Sequence, residues 1–100
     1  MPLYVMLSKL TPEGAKTLHS DPLRTGEVNT EISKSGCKVL EQFATLGEYD
    51  FVSIVQAPDN KAVVRLSVEM AARGTVQITT LPAITIGDMV EGLSDGGDPA

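Results

Sequence analysis

The chain has 100 residues, which is the length of a single domain. Hydrophobic residues make up 42% of it and charged residues 21%, a composition typical of globular proteins that excludes disordered and fibrous classes. The formal net charge is −5 and no run of Lys or Arg occurs, so nucleic acids and anionic membranes are not expected partners. No apolar stretch reaches the roughly 20 residues that span a bilayer.

Two features indicate a cytoplasmic protein. The segment Met1–Val5 lacks the basic start and the cleavage site of a secretory signal peptide. The single cysteine, Cys37, excludes an internal disulfide, and a free thiol suits a reducing compartment. We therefore expect a cytoplasmic localisation.

The first part of the chain predicts a strand followed by an interrupted helix. Leu3–Leu10 is apolar on both alternating sets, which is typical of a strand buried on both faces. Thr11 before Pro12 predicts a helix start, Pro22 a restart, and Gly36 the end. The buried stripe of the restarted helix is expected to consist of Leu23, Val28 and Ile32. Its water-facing residues are expected to be Arg24, Glu27, Asn29 and Glu31.

The middle of the chain predicts three more strands and a second main helix. Cys37–Leu46 and Tyr49–Ala57 have the composition of strands joined by a tight connection. A helix capped by Asp59 and ended by Gly74 follows. Thr75–Leu81 then alternates apolar and polar residues, which predicts a half-buried fourth strand.

The last predicted elements are a short helix and a tail. Thr85, with Asp88 three residues later, is typical of a capping pair at a helix start. Residues 94–100 are small, acidic and Gly-rich, which predicts a disordered tail after one domain over residues 1–93.

The predicted order is β, long α, β, β, α, β and a short helix. It is the split βαβ pattern: an α+β, ferredoxin-like βαββαβ sandwich with a four-stranded antiparallel sheet and both main helices on one face. The first and third strands also carry apolar side chains for the other face, and such a patch is larger than monomers usually expose. We therefore expect a second copy to pack sheet against sheet about a two-fold axis, giving at least a homodimer.

The segment Gly47-Glu48-Tyr49-Asp50 resembles the signature of the GYD domain family. Other segments resemble one branch of that family in their order along the chain: Thr11–Gly14, Glu27–Asn29, Lys38–Gln42, Ala57–Asn60, Arg73–Gln77 and Thr80–Ile84. The resemblance covers Leu3 to Leu93 and implies a ferredoxin-like fold paired as a dimeric α/β barrel. It implies no particular activity.

Alternation along the third strand places a candidate ligand site beneath the open face of the sheet. Tyr49, Phe51 and Ser53 share one side, whereas Val52 and Ile54 on the other side are aliphatic and suit packing under helices. Apolar walls with a few hydroxyl groups are typical of small-molecule pockets. The candidate ligand-binding residues are Tyr4, Met6, Phe43, Tyr49, Phe51 and Ser53. Filling of this space by the partner sheet is the alternative.

Three charged residues are further candidates. Asp50 is expected at the edge of the helix layer, where it could cap a backbone or pair with Arg24 or another cation. The pair Tyr49-Asp50 either fixes the turn or offers the Tyr49 hydroxyl to a ligand. Glu41 shares a face with Phe43; enclosed it could act as a base, whereas at an exposed strand edge, which we favour, it pairs with a cation.

No metal or cofactor is expected. His19 is the only histidine, and a surface position near a helix end is favoured over a ligating role. For Cys37 a buried, inert thiol is favoured over a reactive one.

Two classes of function remain. The first is a non-catalytic oligomeric module that binds a small apolar molecule or a protein partner. The second is a cofactor-independent enzyme, monooxygenase- or isomerase-like, acting on a small apolar or aromatic substrate; it rests on fold analogy alone. The scarcity of titratable pairs on the expected open face favours the first.

Overall fold

The computed structural model describes residues 1–94. The elements are β1 (Leu3–Leu10), α1 (Pro12–Ser20), α2 (Arg24–Lys34), β2 (Lys38–Ala44), β3 (Phe51–Gln56), α3 (Asn60–Ala71), β4 (Val76–Ala83) and α4 (Ile86–Ser94). Their order confirms the predicted α+β pattern. Residue 94 ends α4, and the rest of the tail that we predict to be disordered lies outside the described residues.

Side-chain caps explain where three of the helices start. Thr11 Oγ1 accepts from the backbone N–H of Gly14 at 3.0 Å, and Pro12 occupies the first turn of α1. Asp59 caps α3, and Thr85 caps α4. The second helix has no such cap, because Leu23 stands at that position, and α2 begins two residues after Pro22.

The sheet is antiparallel throughout, with strand order β2-β3-β1-β4. The first strand is therefore central and pairs with both β3 and β4. Tyr4 lies opposite Val55, and Met6 lies opposite Ser53. The register of the edge strand β2 shifts between Val39 and Glu41.

The core lies between one face of this sheet and the helices α2 and α3. Tyr4, Met6 and Val55 on the sheet are buried in one cluster with Ile32 of α2 and Leu66 of α3. Our assignment of the sheet faces is therefore wrong: Tyr4, Met6, Phe51 and Ser53 belong to the helix-covered face. Val52 and Ile54 belong to the other one, since side chains alternate along a strand.

None of the helices α1, α2 and α3 packs on the opposite face of the sheet, which we call the open face. By the strand register its apolar members are Leu3, Val5, Leu7, Phe43, Val52, Ile54, Leu81 and Ala83. Charged residues lie toward its margins, among them Glu41 on β2. None of the four described helices is both long enough and apolar enough to cross a membrane.

Candidate functional site

A half-open space lies on the helix side of the sheet. A cavity of about 440 Å³, which we call the helix-side cavity, separates the sheet from parts of α1, α2 and α3. Three of the six predicted ligand-binding residues line it: Met6, Phe51 and Ser53. The sequence thus brings these three side chains to a cavity, but on the face opposite to the predicted one.

The other three predicted residues lie elsewhere. Tyr4 is buried, and its hydroxyl donates to Asn60 Oδ1 at the start of α3, so it fastens this helix to the sheet. Phe43 lies on the open face of β2 and is 55% exposed. Tyr49 is half-buried in the connection before β3. The six residues therefore do not form one site.

The Gly-x-Tyr-Asp segment is held to neighbouring backbone by hydrogen bonds. Gly47 has a φ of 103°, in the left-handed region that favours glycine. Asp50 Oδ2 accepts from the backbone N–H of Leu10 at 2.8 Å, and its own N–H donates to Ser8 O at 2.8 Å. Thr45 Oγ1 donates to Tyr49 O at 2.6 Å. Of the alternatives for Asp50, backbone capping is confirmed, and the motif holds the end of β1 to the β2–β3 connection.

The alternative for Asp50, a pair with Arg24, does not form. Arg24 Nη1 instead contacts Glu27 Oε2 at 2.5 Å, one turn along the same helix. Glu41 is exposed on the edge strand, which agrees with the alternative that we favour for it.

A chain of polar side chains lines the helix-side cavity and was missed by the sequence analysis. Asn29 Nδ2 donates to Gln42 Oε1 at 2.9 Å, and Gln42 Nε2 donates to Ser53 Oγ at 3.3 Å. The prediction that Asn29 faces water is therefore wrong. The alternation of side chains along β2 indicates the position of Gln42. This residue stands between Glu41 and Phe43, which lie on the open face, so its side chain must point to the helix side.

The cationic side chains that line the cavity are both paired. Arg24 contacts Glu27, and Arg73 contacts Glu31, so their positive charges are locally balanced. The remaining lining residues are apolar or uncharged polar. The cavity therefore presents no excess of charge to an occupant.

A second candidate surface combines the open face with α4. Every residue of α4 is exposed, including the stripe Ile86, Met89, Val90 and Leu93. These four residues recur at the spacing that places them on one side of a helix. An apolar helix side and an apolar sheet face left in water are typical of surfaces that bind protein.

His19 and Cys37 have structural positions. His19 is exposed in the last turn of α1, and Cys37 is buried in the core just before β2. Within residues 1–94, no group of three or more His, Cys, Asp or Glu side chains is arranged to hold a metal ion.

The sequence of this chain matches a family model and a named relative. The family model described as GYD domain matches residues 4–93. A protein of Thermus thermophilus named glutamine synthetase and cystathionine beta-lyase binding protein is 44% identical over 91 residues, which cover 90% of this chain and 96% of that protein. The two chains therefore correspond over nearly their whole lengths.

A solved structure shows the same fold at low identity. The crystal structure of TTHA0845 from Thermus thermophilus superposes with a TM-score of 0.55 and 18% identity, covering 85% of this chain and 95% of that one. A dimeric ferredoxin-like protein from an uncultured marine organism gives a TM-score of 0.42 and 9% identity, covering 86% of this chain and 95% of the other.

Proposed function

The chain belongs to the GYD domain family, and from that premise we propose that it is a non-catalytic protein-binding module. In this proposal a second copy covers the open face, and the dimer presents α4 to an enzyme of metabolism. The observation that carries the proposal is the amount of apolar surface that the described chain leaves in water, on the sheet and on α4.

The open face supports pairing with a second copy. Val5 and Leu7 of β1 lie directly opposite Ile54 and Val52 of β3, so the two central strands form one continuous aliphatic patch. Phe43 on β2 and Leu81 on β4 extend it toward both edges. An apolar patch of this kind is suited to pack against its own copy about a two-fold axis, since sheets commonly pack face to face.

The relative supports a further protein partner. A protein that is 44% identical to this chain is named for binding glutamine synthetase and cystathionine beta-lyase. The exposed stripe of α4 has the i, i+3, i+4, i+7 spacing with which amphipathic helices occupy grooves on partners. We therefore propose that α4 contacts the partner and that glutamine synthetase is the first enzyme to test.

An enzymatic role has less support. Among the described residues that line the helix-side cavity, only Arg24 and Arg73 are titratable, and both are ion-paired. General acid–base catalysis needs a positioned group that gains and loses a proton near neutral pH, and arginine is not one.

Sedimentation equilibrium at micromolar concentration tests the dimer. The wild type should sediment at a mass of at least twice 10.6 kDa. Ile54→Lys places a charge at the centre of the open face and should yield the single chain, whereas Val64→Lys on the exposed side of α3 should leave the mass unchanged. A wild type of 10.6 kDa, or an oligomeric I54K variant, would refute pairing through this face.

Calorimetric titration with purified glutamine synthetase tests the partner. Val90→Gln removes an apolar side chain from the stripe of α4, and Glu91→Gln introduces the same residue one position further along. We expect measurable binding by the wild type and the E91Q variant, and a loss of about tenfold or more in the V90Q variant. Equal affinities for all three proteins would exclude α4 as the contact.

A further inference from the structure

We propose that the helix-side cavity binds one uncharged, mainly apolar small molecule that carries a hydroxyl group, and that this hydroxyl bonds to Asn29. The inference goes beyond protein binding, because the cavity lies within one chain and on the opposite side of the sheet from the open face.

The volume of the helix-side cavity is that of a small-molecule site. Protein interiors pack as densely as organic crystals and leave few voids larger than a water molecule. A volume of about 440 Å³ falls within the range of small-molecule sites and equals the share of roughly fifteen waters in the liquid. This half-open space beside the core therefore has room for a small ligand.

The walls define most of the occupant. They are mainly apolar, with side chains from the sheet, α2 and α3 facing each other across the space; Met6, Phe51 and Val55 contribute from the sheet, Val28 and Ile32 from α2, and Met70 from α3. Contact with such walls favours an apolar body, since its burial removes apolar surface from water. Methionines at two sides adapt to irregular shapes.

The polar end of the occupant follows from Asn29. Its Oδ1 atom is fully buried and finds no donor among the described residues, while its Nδ2 atom is already bonded to Gln42. A buried acceptor without a partner is unfavourable. A small rotation of the Asn29 side chain, which lines the cavity, would bring this atom to a ligand's donor and satisfy it. Rotating the amides of Asn29 and Gln42 together by half a turn would reverse the chain and leave an N–H group in the same place. A hydroxyl group serves both arrangements, because it donates and accepts.

The charges around the cavity do not favour an ionic head group. Arg24 and Arg73 are neutralised by Glu27 and Glu31, and the polar groups deeper in the cavity, Ser53 among them, are uncharged. No unpaired cation among the described lining residues attracts a carboxylate or phosphate. The cavity therefore selects a neutral ligand.

A pair of probes tests the inference on the unmodified protein. 2-Naphthol has an apolar body with one hydroxyl group, and 2-methoxynaphthalene has the same body with the donor blocked. Binding is measured by probe fluorescence, which is convenient because the chain contains no Trp, and located by amide shifts in ¹⁵N–¹H spectra. We expect 2-naphthol to bind about tenfold more tightly than its ether, with shifts concentrated at residues of the helix-side cavity.

Matched variants identify the contact. Asn29→Leu keeps the approximate size of the side chain but removes its polar atoms, and it should bind both probes with equal affinity. Ser33→Leu changes an exposed residue one turn further along α2 and should retain the preference of the wild type. Failure of the wild type to bind either probe, equal binding of the two probes, or shifts confined to the open face would each overturn the inference. None of these results depends on the dimer or on an enzyme partner.

Discussion

Gly14 offers a stringent test of how α1 is packed. The start of this helix is held against the segment before β4, where Thr11 N donates to Thr75 O at 3.0 Å and Thr11 Oγ1 donates to Gly74 O at 2.7 Å. A Cβ atom on Gly14 would lie 1.9 Å from the same Thr75 oxygen. The change Gly14→Ala therefore requires the helix and the segment to separate.

The magnitude follows from this geometry. The new methyl group is roughly 1.5 Å closer than an ordinary contact, and its obstacle is backbone, which cannot rotate away as a side chain would. Overpacking costs about 1–3 kcal/mol, and the two hydrogen bonds of Thr11 that the separation strains are worth about 1 kcal/mol each. The better helix propensity of Ala returns about 1 kcal/mol. We expect G14A to lose about 2–4 kcal/mol of unfolding free energy.

Gly26 provides the matched control. It lies in α2, and a Cβ atom there would meet nothing within 4 Å. Gly26→Ala should therefore stabilise the protein by up to about 1 kcal/mol. Urea denaturation followed by circular dichroism, at one protomer concentration for all proteins, measures both effects. If G14A is as stable as G26A, α1 does not approach the backbone of Thr75 as closely as described.

Two further predictions concern single side chains. Asp50→Ala removes the acceptor of the Leu10 N–H bond and should lower the unfolding free energy measured in urea by about 1–2 kcal/mol. The control Glu48→Ala, in the same connection, should change it by no more than about 0.5 kcal/mol. Similar losses for both variants would show that Asp50 does not hold β1 to this connection. Cys37 is 3% exposed, so its thiol should react with dithionitrobenzoate at least about a hundredfold more slowly in the native protein than in urea. Comparable reaction rates in the two conditions would show that Cys37 does not lie in the core.

The order of the elements could be predicted because local signals marked most of its boundaries. Thr11, Asp59 and Thr85 cap helices in the structure as their positions in the sequence predict. Glycines with positive φ end α2 and α3 or open the connection to β3, and their conformational freedom is a property of the residue itself. Signals of this kind act over a few residues and do not depend on tertiary contacts.

The face of the sheet that the helices cover could not be predicted by the same reasoning. Tyr4 and Met6 are as apolar as their neighbours Val5 and Leu7, so alternation identified two apolar sets without ranking them. We predicted that the helices bury the aliphatic set of β3, which is Val52 and Ile54. In the structure the helices bury the set that includes Ser53.

The polar chain that explains this burial depends on contacts between distant segments. Ser53 bonds to Gln42 of the neighbouring strand, and Gln42 bonds to Asn29 of α2. Alternation along β2 places Gln42 on the helix-covered face, but no spacing in the sequence predicts that its partners are Asn29 and Ser53. Leu23 shows the converse case: helical spacing predicted it to be buried, but it precedes the helix proper and is 82% exposed.

The central position of β1 has a consequence for how the protein is synthesised. This strand is synthesised before both of its neighbours, β3 and β4, and β4 ends at Ala83. Both ladders that flank it must wait for residues made much later, and non-local pairing of this kind slows folding. During translation an apolar strand therefore stays without its hydrogen-bond partners until β3 and β4 have been made, and the nascent polypeptide is exposed to aggregation in that interval.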